Sequence, residues 1–221
     1  MKPAKLLTPE EVVAVFAKKF GKGILESRIT ERCEGVGKRP SYDIWLDIDR
    51  DTLHPAVREL IAIHFPHLGV ISGTDIGDAV ELNYHFSIYY GTKHGEYMVT
   101  LTVALPKSDL RVATIADLIP GAVFSEREKQ EMLGVEVVGI PDGRRLFLPE
   151  EFPEGVYPWR KDETGIRDGM VKDLWAVGRP ANRPARPAIP PEEEGVVQAA
   201  EVAEAKVTAR EPAPAEEERH E

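Results

Sequence analysis

The chain has 221 residues, of which 42% are hydrophobic and 30% charged, and its 38 acidic and 28 basic residues give a formal net charge of −10. This length suffices for one well-buried domain with extensions, or for two small domains. An acidic balance repels phosphate groups and anionic lipids, so it disfavours nucleic-acid binding and simple electrostatic adhesion to a membrane.

The cysteine count and the apolar runs restrict the chain further. Cys33 is the single cysteine, so an intramolecular disulfide is impossible, and a reducing, cytosolic environment fits best. No run approaches the roughly 18 apolar residues of a membrane span. Asn and Gln are scarce whereas Glu, Lys and Arg are common, a bias that resembles a heat-adapted proteome.

The first predicted element is a helix that begins after Thr8. Thr8 is a good N-cap, Pro9 suits the first helical position, and Glu11 completes a capping box. Gly21 ends the helix. The alternation of residues 24–32 and 42–48 then predicts two strands.

The middle of the chain predicts a helix followed by a sheet. The segment HPAVRELIAIHFP, residues 54–66, is typical of a helix, and residues 70–72 of a short strand. Residues 79–90 alternate strictly and predict a strand whose apolar face includes Tyr90. Residues 97–105 return as its partner, which predicts a hairpin with one buried face.

The order of these elements predicts the fold class. Two short helices are expected at residues 114–118 and 125–133. Helices that lie on one face of a mainly antiparallel sheet indicate an α+β fold. We expect an α+β domain at residues 1–120, a signature ribbon at 121–176 that packs on the domain and on a partner, and an extended or disordered C-terminal arm at 177–221.

The signature ribbon begins with a predicted helix. Ser125 and Glu128 have the spacing of a capping box, and Gly134 suits a left-handed helix end. A strand is expected at residues 135–138, and the sequence Pro-Asp-Gly at 141–143 is typical of a tight turn.

Beyond that turn the ribbon is rich in proline and in cations. Pro149, Pro153 and Pro158 disfavour a regular helix or a central strand, so an irregular but fixed course is expected. The cations are Arg144, Arg145, Arg160 and Lys161, and carboxylates lie beside them in the sequence. Because guanidinium pairs with carboxylate through two hydrogen bonds, the pattern favours ion pairs within the domain or across an interface, and both remain open.

Several sequence blocks in this region carry a family resemblance. They are ERE at residues 126–128, PDGRRL at 141–146 and PEGVYPWRKD at 153–162. Together they resemble the 30 kDa subunit of NADH–quinone oxidoreductase (respiratory complex I). They are even more similar to the equivalent subunit of archaeal membrane-bound group 4 nickel–iron hydrogenases and of a related sulfur-reducing complex. The chain departs from the family at Leu133, where an aromatic residue is common, and at Ile140, where a histidine is common.

The resemblance implies a subunit without a redox centre of its own. Such a subunit packs against the large catalytic subunit, of nickel–iron or quinone-site type, and near the iron–sulfur subunits. It reaches the membrane only through these partners, on the cytoplasmic side. The implied role is structural, with no cofactor and no active site in this chain.

The residues expected to bind partners or to form structural ion pairs all lie in the ribbon and the arm. They are Glu126, Arg127, Glu128, Asp142, Arg144, Arg145, Tyr157, Arg160, Lys161, Asp162, Arg179, Arg183 and Arg186. The last three would grip a partner as an extended segment crosses it; simple disorder is the alternative for the arm.

Three chemical alternatives are weaker. They are a catalytic acid–base pair at Glu126 and Glu128, a calcium site at Asp47, Asp49 and Asp51, and a zinc site at His64 and His67. Side chains two residues apart diverge on a helix. The aspartates lack the glycine and the terminal glutamate of a calcium loop, and the histidines lack a third ligand. Two broader alternatives remain. A stand-alone enzyme that uses the Glu and Arg residues of the ribbon is the alternative to a structural subunit, and complex I proper is the alternative to a hydrogenase-type or sulfur-reducing complex.

Overall fold

The computed structural model of the chain describes residues 6–34, 39–91, 95–166 and residue 170. In these ranges three α-helices span Pro9–Phe20 (α1), Leu53–Ile63 (α2) and Ala122–Leu133 (α3). The strands span Ile24–Glu34 (β1), Arg39–Ile48 (β2), His67–Asp75 (β3), Ala79–Ile88 (β4), Tyr97–Pro106 (β5), Arg111–Ala113 (β6) and Glu136–Val138 (β7). The expected C-terminal arm lies outside the described residues.

The strands form one large sheet and one small sheet. The large sheet has the order β1-β2-β5-β4-β3, in which β2 and β5 are parallel and all other neighbours are antiparallel. β6 and β7 form a separate parallel pair. The α+β prediction with a mainly antiparallel sheet is confirmed.

Helix α1 has the termini that its sequence predicts. The Thr8 hydroxyl accepts a hydrogen bond from the Glu11 backbone N–H, and the Glu11 carboxylate accepts one from the Thr8 N–H, at 3.2 and 2.9 Å. Gly21 ends the helix with a φ of 50°. Val12 and Phe16 face inward and are fully buried, so the amphipathic stripe of the sequence becomes the contact of α1 with the sheet.

The core lies on one face of the large sheet. Alternate residues of the central strands, such as Leu46, Leu101 and Tyr84, lie side by side in the strand register and are almost fully buried. The buried residues of all three helices join the same cluster. At the β3 edge, α3 lies so close that a Cβ on Gly73 would come within 2.5 Å of the Leu133 side chain.

Two details in the middle of the chain differ from the sequence prediction. β4 ends at Ile88, and Tyr89 has a φ of 57° that reverses the alternation. As a result Tyr89 is buried and Tyr90, predicted to be buried, is 43% exposed. Residues 114–118 form no helix but a turn closed by the Ile115 carbonyl.

The sequence pattern also predicts one strand too short and misses another. β3 covers nine residues rather than three, because its glycines and a bulge between Leu68 and Val70 interrupt the alternation on which the prediction depends. β6, with only three residues, has no sequence signal of its own and is absent from the prediction.

Candidate functional site

Helix α3 starts earlier than its sequence suggests. It begins at Ala122 with Gly121 as N-cap, and no side chain caps it. Ser125 therefore lies inside the first turn, and the predicted capping box of Ser125 and Glu128 is wrong. The carboxylate of Glu128 instead pairs with Lys129. The predicted left-handed end at Gly134, with a φ of 72°, is confirmed.

Glu126 anchors the turn that precedes α3. Its side chain is almost fully buried and accepts hydrogen bonds from the Thr114 hydroxyl at 2.6 Å and from the Ile115 backbone N–H at 2.7 Å. Burial raises the pKa of this carboxyl group. Both oxygens thus serve the fold, and Glu126 and Glu128 have different partners, which removes the geometry of an acid–base pair.

Arg127 and Glu131 hold the chain that follows β7. The Arg127 guanidinium donates to the carbonyl oxygens of Arg144 and Arg145 at 2.6 and 2.8 Å and lies 3.3 Å from the Asp142 carboxylate. The Glu131 carboxylate accepts three consecutive backbone N–H groups, those of residues 146–148, at 3.2, 2.9 and 2.6 Å.

Neither set of backbone contacts follows from the sequence prediction, which favours carboxylate partners for the arginines and does not single out Glu131. The available signal is the position of Glu131 one turn beyond Arg127 on a helix with a weak apolar stripe. Such a pattern is typical of a helix whose polar side chains are buried against a neighbouring segment and form hydrogen bonds with it.

Arg144 and Arg145 have different partners. Arg144 makes two parallel hydrogen bonds of 2.9 Å to the Asp142 carboxylate, which lowers the pKa of Asp142, while its side chain stays 84% exposed. Arg145 donates to the backbone carbonyls of Pro149 and Phe152 at 2.7 and 2.9 Å. Its partners here are thus backbone groups of the proline-rich loop, and it stabilises the course of that loop.

The end of α3 packs against the aromatic residues of PEGVYPWRKD. The Tyr157 ring lies over Gly134, so that a Cβ there would come within 2.6 Å of it. The Trp159 backbone N–H donates to the Met132 carbonyl at 2.9 Å, and the buried Lys129 ammonium lies 4.7 Å from the centre of the Trp159 ring. This geometry stabilises a buried cation.

A second ion cluster, here called the clasp, joins Asp75, Lys107 and Asp162. The Lys107 ammonium lies 2.9 Å from the Asp75 carboxylate and 2.5 Å from that of Asp162. The backbone N–H of Lys161 also donates to the Asp75 carboxylate, at 2.9 Å. Burial alone would raise the pKa of Asp75, but these donors and the N–H of Gly77 outweigh it and hold the pKa at about 2. The same ammonium, with Thr164, lowers the pKa of Asp162.

Arg160 lies beside the clasp but is not fully satisfied. Its side chain is 7% exposed, and the contact of its Nε with Asp162 is long, at 3.9 Å. Nε and Nη1 have no hydrogen-bond partner among the described residues. The predicted two-bond pairing with a carboxylate is therefore seen for Arg144 and not for Arg160.

These contacts create a surface with a groove. The groove has a volume of about 400 Å³ and is lined by Arg127, Arg144 and Arg145 together with Glu131, Glu154 and Tyr157. Large apolar side chains are exposed in the same part of the chain: Phe124 is 59%, Phe147 61% and Trp159 41% exposed. We call α3 together with residues 139–166 the ribbon surface. Fixed backbone with exposed arginine and aromatic side chains suits protein binding more than bond cleavage.

The predicted site residues divide by position. Glu126, Arg127, Glu128, Asp142, Arg144, Arg145, Tyr157, Arg160, Lys161 and Asp162 all lie in α3 or in residues 139–166. Arg179, Arg183 and Arg186 lie outside the described residues. Within the described ranges, no three His, Cys, Asp or Glu side chains converge as metal ligands. The helices of these ranges also lack the length and apolar character that a membrane crossing requires.

Comparison with known families gives one match that spans more than half of the chain. Residues 46–168 match the family model of the 30 kDa subunit of respiratory-chain NADH dehydrogenase. The matched range begins within β2 and includes α3 and residues 139–166.

Two curated relatives show how the likeness is distributed. Membrane-bound hydrogenase subunit beta of Pyrococcus furiosus is 35% identical over 133 residues, which are 59% of this chain and 75% of the relative. Formate hydrogenlyase subunit 5 of Escherichia coli is 36% identical over 106 residues, which are 45% of this chain but only 18% of that longer relative.

A solved structure shares the fold. A chain of the membrane-bound sulfane sulfur reductase, an archaeal respiratory membrane complex, matches with a TM-score of 0.52 and 21% identity. The match covers 69% of this chain and 83% of the other. At this identity the likeness supports the fold.

Proposed function

The chain belongs to the family of the 30 kDa subunit of respiratory-chain NADH dehydrogenase, and we propose from this that it is a structural subunit of a membrane-bound, complex I-like oxidoreductase. In this role it has no active site and holds the large catalytic subunit against the iron–sulfur subunits. We favour a complex of the hydrogenase or sulfur-reductase type, because a relative at 35% identity is a subunit of a membrane-bound hydrogenase.

In this proposal the partner subunits carry out the redox chemistry. The partner subunits carry the iron–sulfur clusters and, in a hydrogenase, the nickel–iron centre, while this chain holds no cofactor. It lies on the cytoplasmic side and reaches the membrane through its partners. Its contribution to electron transfer is geometric, since it keeps the redox groups of its neighbours at fixed separations.

The observation that carries the proposal is the ribbon surface itself. Residues 139–166 have little regular structure, yet Arg127 and Glu131 fix their backbone through five hydrogen bonds. The same segment exposes Arg144 and Phe147. A backbone ordered before binding lowers the entropic cost of association, and arginine and aromatic side chains dominate binding energy at interfaces. The ribbon surface is therefore the proposed docking site for the large subunit.

Reversal of the charge at Arg144 tests this role. In Arg144→Glu, we expect the other subunits to be lost from material that is affinity-purified from native membranes. The isolated chain should keep its stability within about 1 kcal/mol, because the residue is exposed. Arg58→Glu, an exposed arginine on α2, is the matched control. If Arg144→Glu retains its partners as fully as Arg58→Glu does, Arg144 has no docking role.

Complex I proper is the second candidate, because the matching family model is that of a respiratory-chain NADH dehydrogenase subunit. Metal analysis of the purified complex separates the two candidates. Nickel in the complex supports the hydrogenase type, whereas NADH oxidation without nickel supports complex I. Robust turnover by the isolated chain would instead favour a stand-alone enzyme and contradict the structural role.

A further inference from the structure

The large sheet has one face on which no helix of the described ranges lies. All three helices bury their apolar residues in the core on the other face. A mainly antiparallel sheet such as this one commonly leaves one face in water, and that face is then polar. Here the uncovered face carries large aromatic side chains and more carboxylates than cations. Its residues therefore indicate which kind of partner it can bind.

The strand register aligns one row of side chains across all five strands. Arg28 lies opposite Trp45, Trp45 opposite Thr100, Thr100 opposite His85, and His85 opposite Val70. The Arg28 guanidinium lies 5.4 Å from the centre of the Trp45 ring, and the His85 ring meets Trp45 edge-on with 6.0 Å between centres. In this row the Trp45 and His85 rings are half-buried, and Thr100 on the central strand between them is almost fully buried.

The neighbouring rows are acidic. Glu26 lies opposite Asp47 in the β1–β2 register, and Glu81 lies on the same face of β4. Burial raises the pKa of Asp47, and the charges of Glu26 and Glu81 raise it further. Among the described residues, none of the three carboxylates forms an ion pair within 4.0 Å. Arg28 is the neighbouring cation that offsets part of this charge.

A cavity of about 200 Å³ opens between the two rows. It is lined by Glu26, Ser27, Arg28, Trp45 and Asp47. An ammonium or guanidinium group that enters it would meet the carboxylates of Glu26 and Asp47 beside the Trp45 indole, over which Arg28 already lies, and carboxylates are the groups that pair with cations in proteins. The cavity therefore has the chemistry of a pocket for a lysine or arginine side chain.

The charge of this face selects one kind of occupant. Nucleic acid and anionic lipid carry the same sign and are repelled. A second copy of the chain, related by a two-fold axis, would bring the same carboxylates against each other. We propose that a basic surface of a partner subunit, presenting lysine or arginine side chains, docks on this face across β2, β5 and β4.

This inference rests on the proposed function and extends it. A protein that holds two neighbours together needs two separate surfaces. The ribbon surface lies at the β3 edge on the side of the helices, and the carboxylates of Glu26, Asp47 and Glu81 lie on the opposite face of the sheet. The two surfaces can therefore bind two different partners at the same time.

Carboxylate labelling of the purified complex tests the inference. Carbodiimide with glycine ethyl ester labels accessible carboxylates, and peptide mass spectrometry measures the extent at Glu26, Asp47 and Glu81. We expect severalfold lower labelling in the native complex than in the isolated full chain, with Glu10 on α1 as the reference. Carbodiimide without the amine should cross-link the same residues to lysines of a copurifying partner.

A neutral double variant tests the charge of the partner. Asp47→Asn with Glu81→Gln keeps the size of both side chains, and we expect about tenfold weaker retention of the partner at moderate salt. Glu10→Gln is the control. Equal labelling in complex and isolated chain would mean that the face stays open, and unchanged retention by the double variant would mean that the partner is not basic. Low labelling already in the isolated chain would mean that the chain covers its own face.

Each of these three outcomes overturns the inference. They are distinct from a failure of the proposed function, in which no other protein copurifies with the chain.

Discussion

At Gly134 a single hydrogen atom in place of a side chain allows α3 to end and the Tyr157 ring to pack on its last turn. The φ of 72° is one that residues with a Cβ rarely adopt. The Tyr157 ring fills the space that a Cβ would need. Gly155 has a similar φ of 73° but open space around it. The two glycines thus separate backbone strain from loss of packing.

Gly134→Ala is expected to lower the free energy of unfolding by about 2 to 3 kcal/mol, through backbone strain together with displacement of Tyr157. Gly155→Ala should cost only about 1 kcal/mol, because strain acts alone there. Denaturant titration of both variants measures the difference. Equal losses would show that the contact between Gly134 and Tyr157 contributes no stability.

Residue-level prediction succeeds where a local rule decides the conformation and fails where a distant partner decides it. The caps at Thr8 and Gly134 follow from local geometry, and the structure contains both. Ser125 obeys the same local rule for a cap, yet α3 runs through it. The carboxylate of the next residue, Glu126, binds the turn at Thr114 and Ile115, and no local sequence pattern predicts that contact.

At the scale of elements, the sequence predicts strands best where one face is fully apolar. β4 and β5 alternate strictly, and the structure pairs them as the predicted hairpin. The prediction shortens β3 because Gly69 and Gly73 carry no side chain to alternate. The position of Gly73 is set by the approach of α3, a tertiary contact that a single-sequence pattern does not encode.

The clasp connects elements that are distant in sequence. Asp75 ends β3, Lys107 follows β5, and Asp162 lies near the end of the described chain. The pKa of Asp75 is held at about 2, below the ordinary value of 3.8. A depressed carboxyl pKa contributes stability that is complete above the ordinary value and is lost as the pH falls toward the folded value.

The isolated chain should therefore lose stability on acidification below about pH 4, because the unfolded chain binds protons at Asp75 and Asp162 while the folded chain keeps both carboxylates ionised. Asp75→Asn should lower the free energy of unfolding by about 2 to 3 kcal/mol near neutral pH. It should also flatten the pH dependence in the acid window. Thermal melting of the full chain as a function of pH measures both effects.

Asp78→Asn is the matched control for this prediction, because Asp78 is exposed in the turn between β3 and β4. That variant should follow the parent curve. Asp162 and Asp75 raise the pKa of Lys107, so the stability that Lys107 contributes is complete at neutral and acid pH and is lost only as the pH rises through this raised pKa. An Asp75→Asn variant with the same acid slope as the parent would show that the clasp does not control acid stability.

At the scale of the whole molecule, two kinds of contact hold the chain together. The sheet and the helices share one apolar core. Residues 139–166 instead attach mainly through polar contacts: the Glu131 and Asp75 carboxylates and the Arg127 guanidinium bind their backbone. Because regions with few apolar contacts open more easily than a core, this segment should unfold locally while the sheet stays intact.

Hydrogen exchange on Glu131→Ala tests this separation. The variant removes the acceptor of three backbone N–H groups, so we expect exchange at residues 146–148 to rise about 100-fold, equivalent to about 2 to 3 kcal/mol. Exchange in β4 and β5 should not change. Glu131→Gln keeps one acceptor oxygen and should give an intermediate effect. If protection falls equally in β4, β5 and residues 146–148, the chain opens as one cooperative unit, and the ribbon surface is ordered by the core rather than by Glu131.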